Sequence, residues 1–233
     1  ELRIDPKNPK WEDRDRFVLS KGHTAPGLYA ALAHRGFFPE ERLPTLRHLD
    51  SELQGHPNMN TVPGVDMSTG SLGQGISAAA GMALAAKKMG KDCRVYALLG
   101  DGEIQEGQVW EAFMFARHYR LDNLCAVIDN NGLQIDGPVD EVMSPYPIAE
   151  KLRAFGWETV EIDGHDFDQL EAAFAKARET KGVPTGIVMK TTKGKGVSFM
   201  ENQAGWHGKA PNDQEYEAAA AEIKGRLAEV EAE

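Results

Sequence analysis

The sequence predicts an α/β fold organised around a parallel sheet, and three observations carry that prediction. Val95–Leu99 is a short apolar run that stops at Gly100-Asp101-Gly102, and a second such run, Leu124–Ile128, stops at Asp129-Asn130-Asn131-Gly132. Between them, residues 108–119 place Trp110, Phe113, Met114 and Ala116 at the apolar positions of an amphipathic helix. A strand, a helix of this length and a second strand make a βαβ unit, whose two strands lie parallel in one sheet. Ligands of such sheets sit at the carboxyl ends of the strands, where both polar turns fall, so the two turns are expected to face one site.

The remaining elements follow in chain order. Phe17–His23 (FVLSKGH) reads as a short strand running into a polar turn, with a helix through Leu28 and Leu32 behind it. Residues 53–57 (LQGHP) form a loop that restrains His56 between Gly55 and Pro57. The stretch 68–75 (STGSLGQG) opens a long small-residue helix that continues to about Met89. Gly73–Ala78 matches the letters of a dinucleotide fingerprint, but the preceding Pro63-Gly64-Val65-Asp66 is loop and no strand feeds it, so the match is rejected. After the central unit come a helix over 147–155 and a strand over 157–162. Asp166 then caps a helix through Leu170, Phe174 and Ala177 that ends near Gly182. Residues 185–190 form another strand, followed by a Gly- and Lys-rich loop in which Lys193 and Lys195 could favour an anion. The final stretch, 213–233, reads as an acidic amphipathic helix. With no Pro- or Ser-rich linker and no repeat, residues 1–233 read as a single domain, long enough for a substantial core.

Charge narrows the partners. A net charge of −10 argues against nucleic acid or an anionic membrane as the principal partner. The longest small-apolar stretch, near Ile76–Ala86, is too short to span a bilayer, and no signal peptide is visible, so a cytoplasmic protein is expected. The two cysteines, Cys93 and Cys125, each open a predicted strand and read as buried reduced thiols.

The central turns carry the chemistry. Asp101 offers a carboxylate, Asn131 an amide carbonyl, and the turn beyond Asn131 can direct a backbone carbonyl inward. This all-oxygen set suits a hard cation better than zinc. One acid and one amide are too few for a closed cage, whereas Mg²⁺ is typically held by one or two carboxylates together with phosphates and water. Gly100 and Gly102 let the backbone approach a phosphate closely. Either turn alone is an ordinary strand ending; paired on one βαβ unit they favour a metal–phosphate site.

A family resemblance enters at these residues. GDG followed by a doubled Asn, with Asn131 falling 131 − 101 = 30 residues after Asp101, resembles the thiamine diphosphate motif. The flanks GDGEIQEGQVWEA and IDNNGLQIDG resemble transketolase, and more closely the separate amino-terminal subunit of split transketolases. The resemblance covers nearly the whole chain. It implies a three-layer α/β sandwich that binds the diphosphate end of thiamine diphosphate. Asp101, Asn131 and the Leu133 carbonyl would hold a divalent cation (Mg²⁺, or Ca²⁺ or Mn²⁺) against the diphosphate, with Gly100 and Gly102 beside it. It further implies that His23 and His207, the latter in a Trp206-His207-Gly208 turn, close on cofactor and substrate. Gly70 and Leu72 lie against the diphosphate and thiazolium, and His56 serves substrate binding or proton transfer, a task suited to a side chain titrating near neutrality. Glu106 would couple two active sites across a subunit interface, although on its own it reads as an acid complementing a helix dipole. His165 reads as structural. Ser71 departs from the Pro of many full-length transketolases.

The activity implied is ketol transfer: a two-carbon unit passes from a ketose phosphate to an aldose phosphate, with thiamine stabilising the carbanion. The family's activating glutamate and pyrimidine-binding domain have no counterpart among these motifs, nor is there an arginine cluster for a sugar phosphate. A carboxy-terminal partner subunit carrying that domain is therefore expected, in a dimer of heterodimers. The opening ELRIDPKNPKW reads as entry in mid-domain, and the resemblance implies a preceding helical segment. Two other readings share the GDG and Asn turns: a subunit of deoxyxylulose-phosphate synthase or of a 2-oxo acid dehydrogenase, and a non-catalytic thiamine diphosphate binder. LQGHP and WHG favour transketolase over the first, and four intact candidate groups argue against the second.

Overall fold

The computed structural model describes residues 1–232. Five parallel strands form its sheet: β1 (Arg16–Leu19), β2 (Val95–Gly100), β3 (Leu124–Asn130), β6 (Glu158–Asp163) and β7 (Thr185–Lys190), in the order β1-β2-β3-β7-β6. A two-residue ribbon pairs β4 (Leu133–Gln134) with β5 (Gly137–Pro138) beyond the end of β3. The helices are α1 (Ala25–His34), α2 (Gln74–Lys88), α3 (Gly107–His118), α4 (Val139–Met143), α5 (Ile148–Ala154), α6 (Phe167–Glu179) and α7 (Asp213–Glu231).

Alternation along the strands builds the three layers. Val95, Ala97 and Leu99 of β2, with Leu124, Ala126 and Ile128 of β3, face a core shared with α2, α3 and α5. The intervening Tyr96, Cys125 and Val127, with Ile187 of neighbouring β7, face the other side, where Ala173 and Ala177 of α6 cover them. A central strand buried on both faces is nearly continuous in apolar residues, which is why β2 and β3 are conspicuous in the sequence. A satellite core, including Tyr29, Phe37, Leu53 and Val62, packs α1 against the loops that follow it.

Small residues bring α2 close. Ala79 and Ala83 are fully buried between the sheet and α3, and Lys87 and Lys88 in its last turn oppose the helix dipole. No strand leads directly into α2, as expected. Asp166 caps α6 by accepting from the backbone N–H groups of Asp168 (3.0 Å) and Gln169 (3.1 Å). In α3 the buried stripe is Val109, Ala112, Phe113 and Ala116, with Trp110 packed at its margin. Met114, expected on that stripe, lies one residue beyond Phe113, about 100° around the helix, and is 55% exposed. Both cysteines are buried and unpaired, and burial pushes the Cys125 thiol up to about 12. Among the described residues no helix is long and apolar enough to cross a membrane.

Phe113 is the keystone of the core on the α3 side. Its ring is fully buried 4.9 Å from Trp157 and 5.6 Å from Trp110, and its carbonyl accepts from the Trp157 indole at 3.0 Å. Phe113→Ala is expected to cost about 3–5 kcal/mol of stability, read from the midpoint of urea denaturation.

Candidate functional site

The carboxyl ends of β1, β2, β3 and β7 open into one cleft of about 650 Å³. The turns after those strands supply its floor, the loop before α2 supplies Leu72, and the helical turn Ala204–His207 supplies a wall. His23, Leu72, Gly100, Asp101, Gly102, Glu106, Asn131, Leu133 and His207 all line it. Gly70 and His56 sit just behind: a Cβ on Gly70 would lie 3.2 Å from the His56 ring, so glycine lets the imidazole pack there. Thus the cleft itself gathers every expected site residue except this contiguous pair.

Asp101 is almost fully buried at the end of β2. Its Oδ1 accepts from the Gly102 N–H (2.8 Å) and its Oδ2 from the Gly132 N–H (2.6 Å), which locks the GDG turn to the turn after β3. Burial raises its carboxyl above the usual value, against the two N–H groups, and neighbouring Asp129 pushes the same way. Gly132 adopts φ 75°, a left-handed conformation that suits glycine in this tight turn. The Asn131 Oδ1 accepts from the Leu133 N–H at 3.0 Å, an Asx-type turn that sets the chain for β4.

Cations surround this acid. Lys21, only 8% exposed, is paired with Asp129 at the end of β3. Asp129 also accepts from Thr191 Oγ1 and from Asn131 Nδ2 (3.2 Å). Burial would raise the Asp129 carboxyl, but the Lys21 ammonium and these hydrogen bonds hold it below its ordinary value. Lys193 reaches over from the loop after β7 to within 3.3 Å of His207 Nδ1, and the His207 ring lies 4.9 Å from that of His23. Burial, His207, Lys21 and Lys193 drive His23 down to about 4. His207 and Lys193 are lowered as well, each by burial first and by cationic neighbours second. Burial and the nearby Lys21 and Lys193 thus shift several groups in one cleft, a pattern that clusters at functional sites.

Three residues that shape this site have no role in any motif of the sequence: Lys21, Asp129 and Glu103. Lys21 sits two residues before His23 in the same turn, which is the signal that could have exposed it. Glu103 is buried, whereas Glu106, three residues on, is exposed at the start of α3. Lys193 and Lys195 part company: Lys193 enters the cleft, while Lys195 is exposed, 4.0 Å from Glu201. His165, read from the sequence as structural, lines the cleft as well, and its Nε2 accepts from the Thr192 N–H at 2.8 Å.

The depressed His23 has a measurable consequence. The unfolded chain takes up a proton near 6.5 and the folded chain only near 4, so this group removes stability as pH falls across that window. An NMR titration of the imidazole carbons should show His23 flat through pH 6.5 and moving near 4; a midpoint at 6.5 would contradict the burial and crowding described.

Residues 1–225 match the family described as "Transketolase, thiamine diphosphate binding domain". The chain is 48% identical over 223 residues to the 6-deoxy-6-sulfo-D-fructose transketolase subunit SqwG of a Clostridium species, covering 96% of this chain and 81% of that one. It is 43% identical to one of the subunits of the apulose-4-phosphate transketolase of Phocaeicola vulgatus, covering 100% and 82%. Among solved structures, the transketolase of Campylobacter jejuni superposes with a TM-score of 0.90 at 35% identity over 96% of this chain. A transketolase from Pichia stipitis, complexed with sedoheptulose-7-phosphate, does so at 0.89 and 33% identity over the same share. The chain spans 36% and 35% of those two longer chains. Fold, cleft and sequence agree, and the chain belongs to the transketolase family, within its thiamine diphosphate-binding domain.

Proposed function

We propose that the chain is the amino-terminal subunit of a split transketolase. It would transfer a two-carbon ketol unit from a ketose phosphate to an aldose phosphate, with a carboxy-terminal subunit supplying the pyrimidine-binding half of the site. The subunit names of its relatives support the division between two chains. The observation that carries the reading is the meeting of an oxygen-rich turn pair and a cluster of basic side chains in one cleft.

The residues fit the cofactor. Asp101 and Asn131 present hard oxygen donors on adjacent strand ends, each already oriented by a backbone N–H group. Together with the Leu133 carbonyl they would hold Mg²⁺, or Ca²⁺ or Mn²⁺, whose remaining ligands come from diphosphate and water. Lys193, with Lys21 beside it, would offset part of the remaining diphosphate charge, and the neutral His23 and His207 would donate hydrogen bonds to it. When bound, thiamine diphosphate supplies carbanion stabilisation. The chain's own groups bind, orient and move protons around it. Leu72 offers an apolar wall to the ring. His23 and His207, neutral at pH 7 by the direction of their shifts, can each accept a proton from a substrate hydroxyl. His56, beside Gly70, would serve substrate binding or proton transfer, and exposed Glu106 would meet a second subunit.

The direct test is calorimetric titration of thiamine diphosphate with Mg²⁺ into the chain, alone and with its carboxy-terminal partner, beside Asp101→Ala. Metal-dependent binding that tightens with the partner is expected, lost on chelation and weakened by more than about 100-fold in Asp101→Ala. Absence of binding under both conditions would leave the fold and remove the enzyme.

A further inference from the structure

We infer that Glu103 is a positioning residue for the cofactor seat, a buried carboxylate that fixes the loop carrying Leu72 against the ends of β1 and β2. The inference rests on the cofactor-binding role proposed above and concerns what gives that cleft its shape. Glu103 is 2% exposed and serves three donors from three separate segments. Its Oε1 accepts from Ser20 Oγ (2.5 Å), in the turn after β1, and from the Gly73 N–H (2.9 Å), at the foot of α2. Its Oε2 accepts from the Gly100 N–H (3.0 Å), at the end of β2.

Each of these donors needs an outside acceptor. β1 pairs with β2 only as far as Leu19↔Leu98, and the chain turns away at Ser20. The Gly100 N–H points toward the lane that β1 has left, and Glu103 takes the place of the missing strand carbonyl. Gly73, buried with φ 83°, precedes α2 and offers a helix-terminal N–H group that has no intrahelical partner. The loop from Ser68 to Gly73 has no strand or helix of its own, so side-chain anchors hold it. Thr69 Oγ1 donates to the Leu19 carbonyl at 2.6 Å, and a Cβ on Gly22 would lie 2.7 Å from the Thr69 backbone. A Cβ on Gly75 would likewise strike the Ser20 backbone at 2.6 Å. Glu103 completes this knot, and the residue immediately before its Gly73 contact is Leu72. Two oxygens with about four acceptor sites satisfy three donors; a glutamine in the same place turns an N–H₂ group toward one of them.

The test compares wild type, Glu103→Gln, Glu103→Ala and Ser20→Ala, each assembled with the partner subunit. Thiamine diphosphate affinity at saturating Mg²⁺ is read by calorimetry, ketol transfer at saturating cofactor by steady-state kinetics, and stability by thermal denaturation. A raised cofactor Kd is expected, about tenfold for Glu103→Gln and larger for Glu103→Ala, with kcat at saturating cofactor falling less than about threefold. Ser20→Ala should move Kd in the same direction, and amide exchange at Gly73 should accelerate in all three variants. A lowered melting temperature with cofactor affinity intact would overturn the inference in favour of a purely structural acid. A fall in kcat with Kd unchanged would also overturn it, in favour of direct participation. If the wild-type complex itself takes up no cofactor, the proposed function falls and this inference falls with it. Equal affinity in wild type and variants removes the inference alone.

Discussion

Parallel pairing of β2 with β3, in register from Val95↔Leu124 to Gly100↔Asp129, ends the two strands at one level. Because the strands run the same way, the chain must leave both at the same edge of the sheet, and it does so through Asp101 and Asn131. β1 and β7 flank the pair in the same direction and bring Lys21 and Lys193 to that edge. An antiparallel arrangement would have sent alternate turns to opposite edges. The hydrogen bond from Gly132 to Asp101 then joins the two turns into a single rim. Everything assembled above that rim depends on this common direction.

Charge is the second organising element. In a chain with a net charge of −10 the cleft at the strand ends mixes both signs, with Asp101, Glu103, Glu106 and Asp129 beside Lys21 and Lys193. The strong local neutralisation in the cleft is the contact of Lys21 with Asp129, whose carboxyl is held in its ionised form. That pair fixes Lys21 and leaves Lys193, His23 and His207 to repel one another. With Lys21 paired with Asp129 and the imidazoles lowered, a diphosphate in so acidic a cleft would need a bound divalent cation to offset its charge.

The central βαβ unit is legible in the sequence because strands buried on both faces give uninterrupted apolar runs and because Gly, Asp and Asn mark where they stop. Asp101 and Asn131 are legible for the same reason: a residue at a strand end has a predictable address. Lys21 is not, since its role depends on Asp129, 108 residues away, and pairing at that distance leaves no local trace. Glu103 and Glu106 are indistinguishable as letters in one acidic turn, and only the departure of β1 from the sheet decides which is buried. Met114 misses by one residue, because helical periodicity read over so short a segment tolerates a shift of a whole position. His23, His56 and His207 emerge through the resemblance to a family, not through spacing, for three histidines scattered over the chain have no pattern until the fold collects them.

The crowding of Lys193, His207 and His23 also ties the cleft's affinity for an anion to its affinity for protons. An anion seated among these groups would offset the cationic part of their lowered basicity, while the burial that is its first cause remains. The imidazoles would therefore gain protons only in part as it enters. Binding of a diphosphate would then be coupled to proton uptake, and its heat would include the ionisation enthalpy of whatever buffer supplies those protons.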